Sequence, residues 1–183
     1  MATEIERKFL VKGDKWKSFG VGVVYRQGYL PTAGKQTVRV RVIGDRGYLT
    51  IKGPRVGISR AEYEYAIPVK DAEEMLDNLC LRPFIEKKRY KIQYKDLIWE
   101  VDEFSGENEG LVLAEVELSN ERQTIELPDW IDREVRDPKY FNSNLVKYPY
   151  SQWKKKQLFL SNPVINYLLA KIGFNSTKPP SKT

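Results

Sequence analysis

The first stretch of the chain that could do chemistry is a run of alternating charges near its start. Glu4, Glu6 and Lys8 occupy alternate positions. Because successive side chains of a β-strand point to opposite faces, these three share one face, with neighbours about 6–7 Å apart. Two carboxylates at that spacing repel each other unless a cation lies between them, and the lysine adds a site for an anion. The face is a candidate metal–anion site, although a half-buried strand with its charges in water has the same pattern.

Most of seven later strand-length segments repeat this alternation of charged and apolar residues. Glycines in the turn at 44–47, and Lys95-Asp96, predict two hairpins between them. We therefore predict eight strands, at residues 3–10, 23–30, 36–43, 48–52, 59–67, 85–94, 97–104 and 111–118. The charges that share a face are segregated by strand, with Arg39 and Arg41, Lys52, Lys87 and Arg89 on some strands, and Glu62 and Glu64, Asp102, Glu115 and Glu117 on others.

Eight strands of this kind can close into a barrel with room for a ligand. The predicted fold class is α+β, mainly β: an eight-stranded antiparallel barrel, or tunnel, with a polar lumen and flanking helices. If the charged faces point inward, the lumen has a cationic wall and a carboxylate wall. It would suit a short polyphosphate and would be too enclosed for duplex nucleic acid. The alternative is an antiparallel sheet whose charged face lies in water.

Helical segments are predicted between and after the strands. One is capped by Asp71 and runs to Leu79, a second begins at residues 119–122 and stops before Pro128, and a third opens at 137–142. Residues 152–173 carry a further helical pattern. The domain prediction is a tunnel domain at 1–147, a C-terminal helical extension at 148–174 and a flexible polar tail at 175–183.

Composition narrows the chemistry. The chain has 183 residues, a net charge of +6 and no histidine. The charge favours an anionic partner, and the lack of histidine excludes imidazole bases and His-ligated metals. Any metal must be held by carboxylates, which favours Mg²⁺ or Mn²⁺. The single cysteine, Cys80, can form no internal disulfide. With no apolar signal segment or membrane-spanning run, we expect a cytoplasmic protein that does not bind membranes.

The ordered set of motifs resembles the CYTH superfamily, also called the triphosphate tunnel metalloenzymes. Residues 4–8 match the ExExK signature of that family. The match continues through Arg39-Val40-Arg41, Thr50-Ile51-Lys52-Gly53, Glu62-Tyr63-Glu64, Glu86-Lys87-Lys88-Arg89-Tyr90, Trp99-Glu100-Val101-Asp102, Ala114-Glu115-Val116-Glu117-Leu118 and Asp137-Pro138-Lys139-Tyr140-Phe141-Asn142. It covers roughly the first 147 residues and is most like small bacterial-type inorganic triphosphatases.

The resemblance implies roles for individual residues. The implied metal ligands are Glu4, Glu6, Glu115 and Glu117, with Glu62, Glu64 and Asp102 as second-site ligands or as residues acting through water. The implied phosphate-binding residues are Lys8, Arg39, Arg41, Lys52, Lys87 and Arg89, with Lys139 near the tunnel mouth. Mg²⁺ rarely takes more than one or two protein carboxylates directly, so seven acids exceed the needs of one ion.

The resemblance also implies phosphoryl transfer to water, in which positioning and charge stabilisation dominate. By the family pattern, Lys52 and Lys87 meet the scissile phosphate or the attacking water. Without histidine, the general base is either a carboxylate or a lysine of lowered pKa. Tyr29 could orient the water or the lysine, or it could be a core aromatic residue.

Three classes of function compete. The first is an inorganic triphosphatase that converts tripolyphosphate to pyrophosphate and phosphate. The second is a nucleotide or thiamine triphosphatase, or a class IV adenylyl cyclase. The third is a non-catalytic module that binds polyphosphate or nucleotides. The acidic set disfavours the third, because anion binding alone needs no carboxylates. The partner predicted is a small triphosphate, and the chain is expected to be a monomer or a homodimer.

Overall fold

The computed structural model describes residues 5–54 and 60–153. Its strands are β1 (Glu6–Val11), β2 (Gly22–Leu30), β3 (Thr37–Ile43), β4 (Arg46–Lys52), β5 (Glu62–Ile67), β6 (Ile85–Tyr94), β7 (Leu97–Ser105), β8 (Val112–Glu117) and β9 (Ile131–Glu134). The helices are α1 (Val69–Leu79) and α2 (Asn142–Leu145), with 3₁₀ turns at Lys15–Phe19, Gly106–Asn108 and Pro138–Tyr140. Within these residues, no helix is long and apolar enough to cross a membrane.

The strands form one antiparallel sheet in the order β5-β4-β3-β2-β6-β7-β8-β1-β9. All eight predicted strands are present, and the mainly β, antiparallel class is confirmed. Two details differ. A ninth strand pairs with β1, and the hydrogen-bonded ladder does not close between the edge strands β5 and β9 within the described residues. Side chains from β5 and β1, far apart in this order, nevertheless line one cavity, so the sheet curves around it.

Two tight turns fix the strand register as the sequence predicts. Gly44, with φ of 57°, lies in the two-residue connection between β3 and β4. Lys95, with φ of 52°, lies in the connection between β6 and β7. A left-handed conformation suits the hairpin turns that follow the natural twist of the strands. The register then places charged residues of adjacent strands on the same face.

The apolar face of the sheet is covered by several short segments. Trp16, from the first 3₁₀ turn, and Trp130, before β9, are buried in one cluster with Phe9 and Trp99. Helix α1 covers the other end of the sheet, with Ala72 and Leu76 packed against Val40. The helix approaches closely because β4 has a glycine there: a Cβ atom on Gly47 would lie 2.8 Å from that of Ala72.

The helix predicted to end at Leu79 is confirmed as α1, but its predicted cap is wrong, and a second helix prediction is wrong altogether. Asp71 does not cap α1, because the helix already begins at Val69 after Pro68 and Asp71 lies within its first turn. The helix predicted from residue 119 is a series of turns. Gln123 Oε1 accepts hydrogen bonds from the backbone N–H and hydroxyl of Ser119, and Asn120 Oδ1 accepts one from the N–H of Arg122. Such local polar contacts compete with helix formation.

The C-terminal predictions have different outcomes. The segment predicted to open a helix at 137–142 forms a 3₁₀ turn, in which Asp137 accepts a hydrogen bond from the N–H of Lys139, followed by α2. Of the helix predicted at 152–173, only residues 152 and 153 are described, and both are helical, as are residues 150 and 151 before them. The tail at 175–183 lies outside the described residues entirely.

Candidate active site

Each of the first eight strands contributes side chains to one cavity of about 810 Å³, and most of these side chains are charged. Its lining includes most of the residues singled out from the sequence: Glu6, Lys8, Tyr29, Arg39, Arg41, Lys52, Glu62, Glu64, Lys87, Arg89, Glu115 and Glu117. The charged faces therefore point inward, and the alternative of an open sheet with its charges in water is wrong.

Three of the predicted site residues are not in this lining. Glu4 lies outside the described residues. Lys139 is held away from the cavity, with its Nζ 3.3 Å from Asp137 Oδ2 and about 5 Å from the ring centroids of Tyr140 and Trp153. Asp102 lies beneath the cavity surface and is fully buried.

Asp102 is surrounded by cations. It accepts hydrogen bonds from Nε and Nη2 of Arg89, both at 2.6 Å, and from Nζ of Lys87 at 2.5 Å. Its oxygens are thus engaged by a guanidinium fork and an ammonium group, which is the strong geometry for a carboxylate. These contacts favour a role as counter-ion to Lys87 and Arg89 over the predicted role as a metal ligand.

Glu115 extends this set of charges towards β1. It accepts hydrogen bonds from Lys8 Nζ and, at 2.8 Å, from Arg89 Nη2. Burial alone would raise the pKa of Glu115, but Lys8, Arg89 and Lys87 hold the pKa well below its usual range. Burial alone would lower the pKa of Lys8, but Glu115 and Glu6 raise the pKa above its usual value. We refer to Lys8, Lys87, Arg89, Asp102 and Glu115 as the buried cluster.

A second set of charges lies on β3, β4 and β5. Glu64 accepts hydrogen bonds from Nη2 of Arg39 at 3.3 Å, from Nη2 of Arg41 at 2.8 Å and from the hydroxyl of Thr50 at 2.7 Å. Lys52 Nζ lies 2.9 Å from Glu62. The side chains of these two glutamates are 32% and 21% exposed. We refer to Arg39, Arg41, Lys52, Glu62 and Glu64 as the open cluster.

The arrangement corrects the predicted division into a cationic wall and a carboxylate wall. The bases of β3 and β4 flank β2 on one side, those of β6 flank it on the other, and β2 itself brings only uncharged side chains into the lining. Acids lie farther out on both sides, on β5 and on β7, β8 and β1. Each set of bases is paired with acids of the neighbouring strands, which lowers the repulsion between the bases.

One pair of carboxylates suits a hard metal ion. Glu6 and Glu117 are directly opposed on β1 and β8, and both line the cavity. Opposed like charges destabilise a strand pair. The comparable pair of Glu100 and Glu115 is bridged by Arg89, whereas Glu117 forms no ion pair with any described residue.

The donor set fits Mg²⁺ or Mn²⁺, which take one or two carboxylates and complete their shell with water or phosphate oxygens. Within residues 5–54 and 60–153, no group of three or more acidic or cysteine side chains could hold a metal. A site there would therefore depend on Glu6 and Glu117 together with oxygen ligands from outside the protein. Glu6 itself lies 3.9 Å from Lys8 Nζ, and the remaining lining glutamates are engaged by cations: Glu62 by Lys52, Glu64 by Arg41, Glu100 by Arg89, and Glu115 by Lys8 and Arg89.

Two lining residues have strongly shifted pKa values. Burial, followed by the charge of Arg89, lowers the pKa of Lys87 to about 8. Burial raises the pKa of Tyr29 to about 12. Near neutral pH, the Lys87 amine can therefore exist in both protonation states, while the Tyr29 phenol keeps its proton. Tyr29 also packs in a core cluster with Ile85 and Phe104, so its two predicted roles are compatible.

Sequence reasoning missed three lining residues that it could have found. Tyr25 and Gln27 precede Tyr29 on β2 by four and two positions, so the period of a strand places them on the same face. Gln27 is buried, and its Nε2 donates a hydrogen bond to the Tyr29 hydroxyl at 3.0 Å. Arg60 precedes Glu62 by two positions and also lines the cavity. The two uncharged residues were not predicted because the prediction relied on the alternation of charged residues.

Segment 141–143, by contrast, was beyond prediction from local patterns. Phe141, Asn142 and Ser143 line the cavity, and Lys8 Nζ lies 5.9 Å from the centroid of the Phe141 ring. Their positions depend on the packing of α2, whose Leu145 is buried in a core cluster contributed by distant strands.

Fold and site together define a curved antiparallel sheet that encloses buried cations and opposed carboxylates, as expected for a protein that binds a polyanion with a hard metal ion. The family model described as the CYTH domain matches residues 2–145. The chain therefore belongs to the CYTH family.

Relatives and a solved structure agree with this assignment. The chain is 58% identical over 156 residues to an inorganic triphosphatase of Acetivibrio thermocellus, covering 85% of this chain and all of the relative. It is 36% identical over 152 residues to an inorganic triphosphatase of Nitrosomonas europaea, covering 79% and 96% of the two chains. The crystal structure of an inorganic triphosphatase, 35% identical, superimposes with a TM-score of 0.57 over 80% of this chain and 95% of that chain.

Proposed function

We propose that this chain is a metal-dependent hydrolase that converts inorganic triphosphate to pyrophosphate and phosphate. The observation that carries the proposal is the meeting, in one cavity, of the bases of β3, β4 and β6 with the opposed pair Glu6 and Glu117. Both curated relatives described above bear the name inorganic triphosphatase. Cations alone would suit any anion, whereas the carboxylate pair adds a reason for a metal ion.

The open cluster would bind the phosphates that remain charged throughout the reaction. Nε of Arg39 and Nε of Arg41 are buried and have no hydrogen-bond partner among the described residues. Both guanidinium groups instead contact Glu64 through Nη2. A phosphate group offers more acceptor oxygens than one carboxylate, so it could take over these contacts from Glu64 and engage both arginines.

The buried cluster would supply a fixed positive charge at the reacting phosphate. Lys8 and Arg89 are held by Glu115, and Arg89 also by Asp102. These cations need no reorganisation during the reaction, which is the arrangement that stabilises a charged transition state most effectively. A metal ion bound at Glu6 and Glu117 would contribute further charge neutralisation when present.

Lys87 is the proposed general base. Its lowered pKa, about 8, gives a neutral amine in an appreciable fraction of molecules near neutral pH. In that state the amine can accept a proton from the attacking water. Arg89 beside it helps to keep the amine neutral before the reaction. Tyr29, which keeps its proton, would orient the water through its hydroxyl, itself fixed by Gln27. Lys52 would contact the phosphate from the opposite side of the cavity.

The test is a product analysis of the purified chain. Tripolyphosphate, ATP and thiamine triphosphate are each incubated with Mg²⁺, with Mn²⁺ and with EDTA, and every product is identified. We expect tripolyphosphate to be converted to pyrophosphate and phosphate, at a higher rate than either organic substrate is hydrolysed. We expect no product in EDTA. Faster phosphate release from ATP or thiamine triphosphate would indicate an organic triphosphatase, and formation of cyclic AMP would indicate a cyclase. Binding without turnover of any substrate would select the non-catalytic module.

A further inference from the structure

Tyr25 lies in the cavity lining, on the strand β2 that separates the two sets of bases. It pairs with Ile43 of β3 on one side and with Lys87 of β6 on the other. Its side chain is 7% exposed, and the residue lines the cavity. Its hydroxyl makes no hydrogen bond with any residue that the structure describes, so hydrogen bonding does not explain its presence.

Three cations surround the ring of Tyr25. The guanidinium carbons of Arg41 and Arg89 lie 5.9 and 5.5 Å from the ring centroid, and Lys87 Nζ lies 5.8 Å from it. All three distances are within the range of a cation–π interaction. Lys87 Nζ also lies 5.7 Å from the centroid of Phe104, so two rings face this ammonium group.

The three cations belong to both clusters. Arg41 is part of the open cluster, and Lys87 and Arg89 are part of the buried cluster. Tyr25 is thus an uncharged residue that contacts the bases of both. An aromatic ring can attract several cations at once through its negative face, while its bulk keeps the cations apart. A carboxylate at this position would attract them as well, but would repel the substrate.

We propose that Tyr25 is a positioning residue whose ring holds Arg41, Lys87 and Arg89 at a fixed spacing around the space for the phosphates. The identity of the anion rests on the proposed function. The ring itself would not react. It would set the distance between Arg41, which binds one phosphate of the substrate, and the pair Lys87 and Arg89, which binds another phosphate. Substrate affinity depends on that distance.

Four variants distinguish the effect of the Tyr25 ring from a general effect of packing. Tyr25→Leu and Tyr25→Met both remove the ring, with a branched and with an unbranched, more adaptable side chain, and Tyr25→Phe keeps it. Tyr90→Leu is the control, because Tyr90 is also 7% exposed but packs in the apolar cluster behind the sheet. For each variant, the dissociation constant for tripolyphosphate is measured by calorimetry in EDTA, and KM and kcat are measured with Mg²⁺. Circular dichroism and thermal midpoints report on folding.

We expect Tyr25→Leu and Tyr25→Met to weaken tripolyphosphate binding about tenfold or more, with a matching rise in KM, as the loss of several desolvated cation–π contacts implies. Tyr25→Phe should recover most of the affinity. Tyr90→Leu should lower the thermal midpoint without weakening binding. If one ring-less variant does not fold, the other provides the comparison.

Two results would overturn the inference: unchanged binding in a folded ring-less variant, or a loss in Tyr25→Phe as large as that in Tyr25→Leu, which would assign the effect to the hydroxyl. If the wild-type chain binds tripolyphosphate but does not hydrolyse it, the proposed function fails, while the comparison of dissociation constants still decides the role of Tyr25.

Discussion

The buried cluster and the open cluster both pair bases with acids, but they lie at different depths in the cavity wall. In the buried cluster, no side chain is more than 11% exposed, and Asp102 is fully buried. In the open cluster, the bases are similarly buried, but the acids that pair with them are 21% and 32% exposed. The clusters therefore differ mainly in how accessible their carboxylates are to water and to a ligand.

This difference suggests different roles. Removing a charge from water is costly, and a buried ion pair is tolerated only when its partners satisfy each other fully. Asp102 cannot be replaced by a ligand, because it is sealed beneath the cavity by Arg89 and Lys87. Glu64, at the surface of the cavity, can move away. We infer that Lys8 and Arg89 of the buried cluster keep their positive charge in place, that Lys87 exchanges its proton there, and that the open cluster exchanges its carboxylates for phosphates.

The largest effect should come from breaking the buried cluster. Asp102→Ala removes the carboxylate that pairs with the buried Lys87, while Arg89 keeps Glu100 and Glu115, and breaking a buried pair costs about 3–5 kcal/mol. We expect the free energy of unfolding, measured in urea, to fall by about that amount. Glu64→Ala in the open cluster is the matched control and should cost about 1 kcal/mol or less. Equal losses in the two variants would contradict the distinction between the clusters.

The second effect concerns the rate of the reaction. If the neutral amine of Lys87 is the base, kcat should rise with pH and level off above about 8, because its pKa is lowered to about that value. Lys87→Arg keeps the charge but cannot lose its proton, so kcat should fall about 10²–10³-fold and the rise near pH 8 should disappear.

Lys88→Ala provides the control for this series, because Lys88 is the adjacent lysine on the exposed, opposite face of β6. Its kcat and pH profile should match those of the wild type. A pH profile of Lys87→Arg that retains the wild-type rise would assign the base to another group. The sequence analysis gives a carboxylate as the alternative base, and several carboxylates line the cavity.

The third effect concerns metal affinity. Glu117→Gln removes one of two opposed carboxylates and also their mutual repulsion. We expect the Mg²⁺ concentration for half-maximal activity to rise about tenfold or more, as for other losses around a metal site, while the free energy of unfolding stays the same or increases. Glu73→Gln, on the exposed face of α1, is the control. Unchanged metal dependence in Glu117→Gln would remove this residue from the metal site.

The strands and the charged lining could be predicted because both depend on a two-residue period that is visible in the sequence. Arg39 and Arg41, for example, share a face under any strand register. The ordered motifs also indicated the family, which the comparisons confirm. The prediction of two separate walls failed because it required the order of strands in space. That order places β6 beside β2 rather than beside β5, and long-range packing determines it.

The roles of individual acidic residues depend on the same long-range packing. Asp102 and Glu117 are both acidic residues at the inward positions of their strands, so the strand period alone does not show how their surroundings differ. Only the structure reveals that one is sealed under two cations and that the other is exposed in the cavity lining. Strand β9 was missed because its four residues, Ile131–Glu134, are mostly charged; its pairing with β1 is supported by the ion pair of Arg7 with Glu134 at 2.7 Å.

The smallest effect tests the exchange of carboxylate for phosphate in the open cluster. Glu64 holds both arginines in the absence of substrate, and Arg41, Arg39 and the Thr50 hydroxyl lower its pKa against the effect of burial. A phosphate must displace this carboxylate before it can bind. Glu64→Gln weakens the competing contact, because a neutral amide forms weaker hydrogen bonds with guanidinium groups than a carboxylate does. KM for tripolyphosphate should therefore fall about two- to fivefold, which corresponds to less than about 1 kcal/mol, with little change in kcat. A rise in KM would mean that Glu64 assists binding, either by orienting the arginines or as a ligand of a second metal ion, and the two clusters would then share one role.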